Sequence, residues 1–128
     1  MTDLADRILD DSGRSEAELS IFITDDEEIG SLNRIYRAID RPTDVLSFSQ
    51  LEGEGPIIAP QLLGDVVISW ETAQRQALEL GHTIQFEMKR LLVHGVLHLL
   101  GFDHEKDEEW ARIMKEEEEK YAPSEQDE

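Results

Sequence analysis

Apolar positions along this chain switch between helical spacing and short β-branched runs, and each switch marks a new element. Leu4, Ile8 and Leu9 space residues 3–11 as a helix, closed by Asp10-Asp11-Ser12-Gly13. Residues 18–24 are β-branched and aromatic and predict a strand. Thr24 or Asp25 can N-cap the next helix, whose first turn holds an acidic run where the helix dipole favours it. Its apolar stripe reads Ile29, Leu32, Ile35 and Tyr36, with Ile39 just beyond, while Arg34 and Arg37 share another face. Asp40-Arg41-Pro42-Thr43-Asp44 is a turn, because Pro42 disfavours helix at Arg41. Residues 45–49 and 64–69 predict two further strands around a Gly- and Pro-containing loop over 50–63. Ser69 caps a helix that Gly81 stops, and Thr83 caps a long apolar helix to Leu100. Residues 107–121 form a last amphipathic helix with Trp110, Ile113 and Met114 inward and the acidic run 116–119 solvated. The order α-β-α-β-β-α-α-α argues for an α+β fold: one domain over residues 1–121, a small mixed sheet packed with about five helices. Residues 122–128 read as an acidic disordered tail.

Inside the long apolar helix lies His94-Gly-Val-Leu-His98-Leu-Leu-Gly101-Phe-Asp-His104. Residues i and i+4 stack on one helix face, about 5–6 Å apart at Cβ, so two imidazoles can reach one ion. Gly101 suits the left-handed residue that ends a helix, and the chain can then turn back to bring His104 to the same ion. Three neutral nitrogens suit zinc and leave a fourth position open. The metal site is thus expected on a central helix and the turn after it, with one zinc ion per chain. The fourth histidine, His82, reads as a solvated loop residue. The spacing is that of the H-E-x-x-H-x-x-G-x-x-H zinc-protease motif, except that Gly95 stands in place of the glutamate base. Glycine cannot take a proton, so peptide hydrolysis of that type is disfavoured.

The chain has no cysteine, which removes disulfide and thiolate chemistry. Residues 1–11 are polar and acidic without an apolar h-region, and no apolar stretch is long enough to span a bilayer, so a soluble cytoplasmic protein without membrane contact is expected. The formal net charge of −18 repels nucleic acid at long range. The charge is uneven, however. Arg34, Arg37 and Arg41 fall within eight positions, so a local phosphate-reading site remains open.

Taken together, the motifs resemble the YbeY family of metal-dependent endoribonucleases. The resemblance rests on Leu32-Asn33 with Tyr36-Arg37, on residues 40–48 with their P-T-D-V-L-S-F block, on Leu63-Gly64-Asp65-Val66-Val67-Ile68-Ser69, and on residues 94–104. It covers roughly residues 18–119. It implies a single-domain α+β fold, zinc on His94, His98 and His104, and cleavage of single-stranded RNA in the maturation of small-subunit ribosomal RNA and in ribosome quality control. The implied partners are an rRNA precursor and small-subunit ribosomal proteins. It also implies a strand ahead of the first helix that these residues do not include, leaving that sheet edge open or completed in another way.

The resemblance places the family's important arginine at Arg37, the expected catalytic cation, since a guanidinium matches phosphate bidentately. Arg34 and Arg41 are lesser candidates for binding the RNA backbone, and Ser47 for hydrogen bonding to substrate. Asp103 can orient a ligand histidine or cap the turn after Gly101. Phe48 reads as core, Asn33 as a helix-surface residue, and Asp44 and Asp65 as loop hydrogen-bonders. Two competing functions are a non-enzymatic ribosome-assembly factor with a structural zinc site and a metalloprotease.

Overall fold

The middle of the sheet is β3 (Leu62–Ser69), flanked by β1 (Glu18–Thr24) and β2 (Val45–Ser49) in the order β1-β3-β2. β1 runs parallel to β3, and β2 pairs with β3 antiparallel from Val45↔Ile68 to Ser49↔Gly64. Among the described residues of the computed structural model there are five helices: α1 (Thr2–Asp11), α2 (Asp26–Arg37), α3 (Trp70–Leu80), α4 (Ile84–Leu99) and α5 (Glu108–Tyr121). The structure describes residues 2–11, 13, 17–49, 62–100 and 108–121. Of the predicted loop over 50–63, residues 50–61 lie outside them, while Leu62 and Leu63 belong to β3 instead; residues 101–107, which include the expected turn after α4, and the tail over 122–128 also lie outside. The expected α+β architecture, a small mixed sheet with five helices, is what forms. No described helix is long and apolar enough to cross a membrane.

Alternation along the strands sorts the core into two layers. Val66 and Ile68 join Ile8, Leu91, Leu92, Val96 and Leu97 in the larger cluster, which packs α1, α3 and α4 on one face of the sheet. Val67 and Leu46 point the other way and bury Ile29 of α2, with Leu32 and Phe48 against them. The two helices of greatest interest, α2 with its arginines and α4 with its histidines, therefore lie on opposite faces of the sheet.

The helix starts follow the local signals. Asp25, Ser69 and Thr83 cap α2, α3 and α4, each side chain accepting from the backbone N–H three residues on. The apolar stripe of α2 departs from expectation. Ile35 and Tyr36 are 64% and 66% exposed. Ile35 lies about 120° around the helix from Ile29, out of reach of a sheet with three strands. Tyr36 is in line with Ile29 but meets the ring of Phe48 edge-on at 5.2 Å rather than entering the core. Asn33, expected at the surface, is buried instead, and its side-chain amide donates to the Arg41 carbonyl at 2.9 Å, clamping the following turn onto α2. His82 is half-buried against Phe86, with ring centroids 4.7 Å apart, and not a purely solvated residue.

One polar junction ties α2 to α3. The Asp26 carboxylate accepts from Ser69 Oγ and Thr72 Oγ1, each at 2.6 Å, and pairs with Arg75 at 2.7 Å. Burial raises the cost of ionising Asp26, but hydrogen bonds from Ser69, Thr72 and the Arg75 guanidinium outweigh it and lower its pKa from 3.8 to about 2. A carboxyl more acidic in the folded than in the unfolded chain stabilises the fold above about pH 4, and that contribution disappears as pH falls from about 4 to 2. With the exposed Arg75 partly screened by water, it is worth about 1–2 kcal/mol. Asp26→Asn should lose that amount in urea unfolding at pH 7 and show a flatter stability profile than the parent between pH 4 and pH 2.

Candidate metal centre

The histidines owe their position to two glycines that bring α4 down onto the sheet. Gly95 faces β2 and β3; a Cβ there would stand 2.7 Å from Val66 Cγ1 and 3.2 Å from Val45 Cγ2. Gly64 has φ +154°, and a Cβ there would meet the Phe48 carbonyl oxygen at 2.2 Å and Leu99 Cδ2 at 3.0 Å. Into the same contact Ser47 Oγ donates a 2.9 Å hydrogen bond to the Gly95 carbonyl. The residues around the histidines, Leu91–Val93, Gly95–Leu97 and Leu99, are buried, so α4 cannot roll without opening the core.

His94 and His98 are half-buried and stand side by side, with ring centroids 4.7 Å apart. Their Nε2 atoms face each other at 3.1 Å. Two nitrogens sharing a tetrahedral ion with bonds of about 2.0–2.1 Å stand roughly 3.3 Å apart, so the observed separation fits a pair of ligands to zinc. The other ring nitrogen of His94, Nδ1, lies 2.7 Å from Glu118 Oε1 on α5. No group of three metal-binding side chains is present among the described residues. His104, the expected third ligand, and Asp103, the expected orienting carboxylate, lie outside them.

The remaining candidates are not gathered at this pair. Arg34, Arg37 and Arg41 are all exposed, and α2, which carries the first two, packs on the far face of the sheet from α4. Arg34 and Arg41 line a surface cavity of about 380 Å³ together with Asp26, Glu27 and Asp40. Arg37 enters no ion pair among the described residues. Ser47 is close to the histidines in the fold, but its hydroxyl proton is engaged by Gly95, so it serves as a helix anchor. Asp44 is a loop hydrogen-bonder as expected, accepting from the Val45 N–H at 2.8 Å and from Gln76 at 3.3 Å.

The residue that sequence reasoning missed is Glu118. It stands in a run of four glutamates, read as a solvated face, and nothing in that run singles out one of the four. The available signal was Tyr121, three residues on and therefore on the same side of α5. Tyr121 is buried, so that side of the helix turns inward.

The comparisons with known proteins agree with the motifs. The family model described as Endoribonuclease YbeY matches residues 1–124. A protein named Endoribonuclease YbeY from Aquifex aeolicus is 55% identical over 104 residues, covering 81% of this chain and 67% of that protein. One from Sulfurihydrogenibium is 49% identical, covering 89% of this chain and 74% of its own length. One from Pelotomaculum thermopropionicum is 50% identical, covering 93% and 80%. Among solved structures, the solution structure of TM1509 from Thermotoga maritima superposes with a TM-score of 0.67 at 27% identity, covering 94% of this chain and 75% of that one.

The close approach at Gly95 is testable. Gly95→Ala gains about 1 kcal/mol of helix propensity, but forcing a methyl against two β-branched side chains costs about 1–3 kcal/mol. The variant should be less stable than the parent in thermal unfolding, whereas Gly→Ala in an exposed helix would raise stability.

Proposed function

Since the chain belongs to the YbeY family, we propose that it is an endoribonuclease that cleaves single-stranded RNA with the help of a metal ion held by His94, His98 and His104. The substrate we assign it is the precursor of small-subunit ribosomal RNA, with roles in its maturation and in ribosome quality control, by resemblance to the family. The observation that carries the metal reading is the pair of Nε2 atoms 3.1 Å apart on a helix that cannot roll. Bound there, zinc would supply Lewis acidity at a phosphorus-bound oxygen. The chain's own residues then divide the remaining work. His94 and His98 fix the position of the ion, and Glu118 fixes His94. Arg37, an exposed guanidinium without an acidic partner among the described residues, supplies a phosphate contact, and Arg34 and Arg41 add weaker ones because carboxylates surround them.

The protease reading is disfavoured for a structural reason. At the position of the general base there is no room for a Cβ, so no carboxylate can be placed on α4 between the histidines without moving the sheet. The assembly-factor reading differs from the nuclease in having a closed metal site, with a fourth protein ligand.

The deciding experiment is cleavage of single-stranded RNA by zinc-loaded protein, with and without chelator. Cleavage should stop on chelation and return with metal. His98→Ala should lower the rate by more than about 100-fold while keeping its circular dichroism spectrum. Arg37→Ala should lower it by about 100-fold, the loss typical of one charge-stabilising donor. Uncut RNA from fully loaded protein, together with a fourth side chain on the ion, would leave the assembly factor as the better reading.

A further inference from the structure

We propose that Glu118 is a positioning residue for the metal centre: it holds His94 in the tautomer and ring orientation that present Nε2 to the cation. This rests on the reading of His94 and His98 as ligands. Glu118 Oε1 and His94 Nδ1 are 2.7 Å apart, and the two side chains are 25% and 26% exposed, so water competes with the contact less than on an open surface. A carboxylate can only accept, so Nδ1 carries the proton. A neutral imidazole has a single ring proton, and Nε2 is left with its lone pair. Nε2 is the atom that faces His98 Nε2. Carboxylates behind ligand histidines serve this purpose generally, fixing the tautomer and raising the basicity of the ligand.

The position of Glu118 is itself set from a distance. Tyr121, one turn on, is buried in the main core, and its hydroxyl donates to Asp11 Oδ2 at 2.8 Å. The Arg7 guanidinium stands 5.0 Å over the Tyr121 ring and donates to the Lys120 carbonyl at 3.3 Å. The last turn of α5 is thereby pinned to α1, and the pin holds the helix at the height where Glu118 meets His94. Of the neighbouring acids, Glu116 is turned outward and pairs with exposed Arg112 at 2.9 Å, which makes it the matched control.

The test uses the full chain as Glu118→Ala, Glu118→Gln and Glu116→Gln, with zinc affinity measured by competition against a chromophoric chelator. Glu118→Ala should weaken zinc binding by about 10–100-fold. Glu118→Gln, whose amide oxygen can still accept from Nδ1–H, should recover part of the loss, and Glu116→Gln should match the parent. A second readout needs no metal. Nitrogen NMR of the metal-free parent should show His94 as the Nδ1–H tautomer, and Glu118→Ala should convert it to a mixture. Equal zinc affinity in parent and Glu118→Ala, even with a lowered melting temperature, would overturn the proposal and leave the contact a structural one. An Nε2–H tautomer in the parent would overturn it as well. A parent chain that binds no zinc would remove the metal reading and this one together.

Discussion

The contact between Gly95 and the side chains of Val66 and Val45 sets the geometry of everything around it. With no Cβ in the way, α4 lies directly on β2 and β3, and Ser47 fastens it through the Gly95 carbonyl. The helix turns about 100° per residue. Relative to Gly95, His94 therefore sits about 100° to one side and His98 about 60° to the same side. Both project along one flank of α4, neither into the core nor straight out to solvent, which explains why both are half-buried. A ligand pair on such a flank has packed neighbours to hold it. α5 brings the carboxylate of Glu118 to His94.

The same contact bears on the protease-like spacing of the histidines, because it leaves no room for a carboxylate between them. In the H-E-x-x-H pattern the second position carries the base. Here that position is the point of closest approach between helix and sheet, and any side chain would have to displace Val66. Spacing alone fixes where ligands can meet an ion, while the residue between them decides which chemistry follows. Chemistry at phosphorus can dispense with a carboxylate base on the helix, because RNA carries its own 2′-hydroxyl nucleophile.

The parts of the structure legible in the sequence are those written by neighbours along the chain. The three caps, the strand compositions and the i, i+4 histidines each depend on a few adjacent residues, and each stands where local chemistry puts it. What could not be read depends on partners far along the chain. The stripe of α2 has four apolar residues in the sequence, but the sheet beneath it buries Ile29 and Asn33 and leaves Ile35 and Tyr36 exposed. Asn33 is inside because the Arg41 carbonyl comes to meet it, a contact that no helical period announces. Glu118 is one of four equivalent letters until α1 fixes the rotation of α5 through Tyr121.

The placement of the arginines carries a further consequence for how a polyanion can approach. The chain's net charge of −18 opposes the approach of RNA, a repulsion that salt screens beyond about 8–10 Å at physiological ionic strength. Attraction has to come from a few exposed cations at short range, and Arg37, with no ion-pair partner among the described residues, is the best placed of the three near one another. Yet, among the described residues, α2 and α4 pack on opposite faces of the sheet. A nucleotide chain that meets both faces has to round an edge of the sheet, and among the described residues β2, against which α4 lies, is an edge strand. An extended single strand, bending at each phosphate, can follow such a path. A stiff duplex cannot bend so sharply.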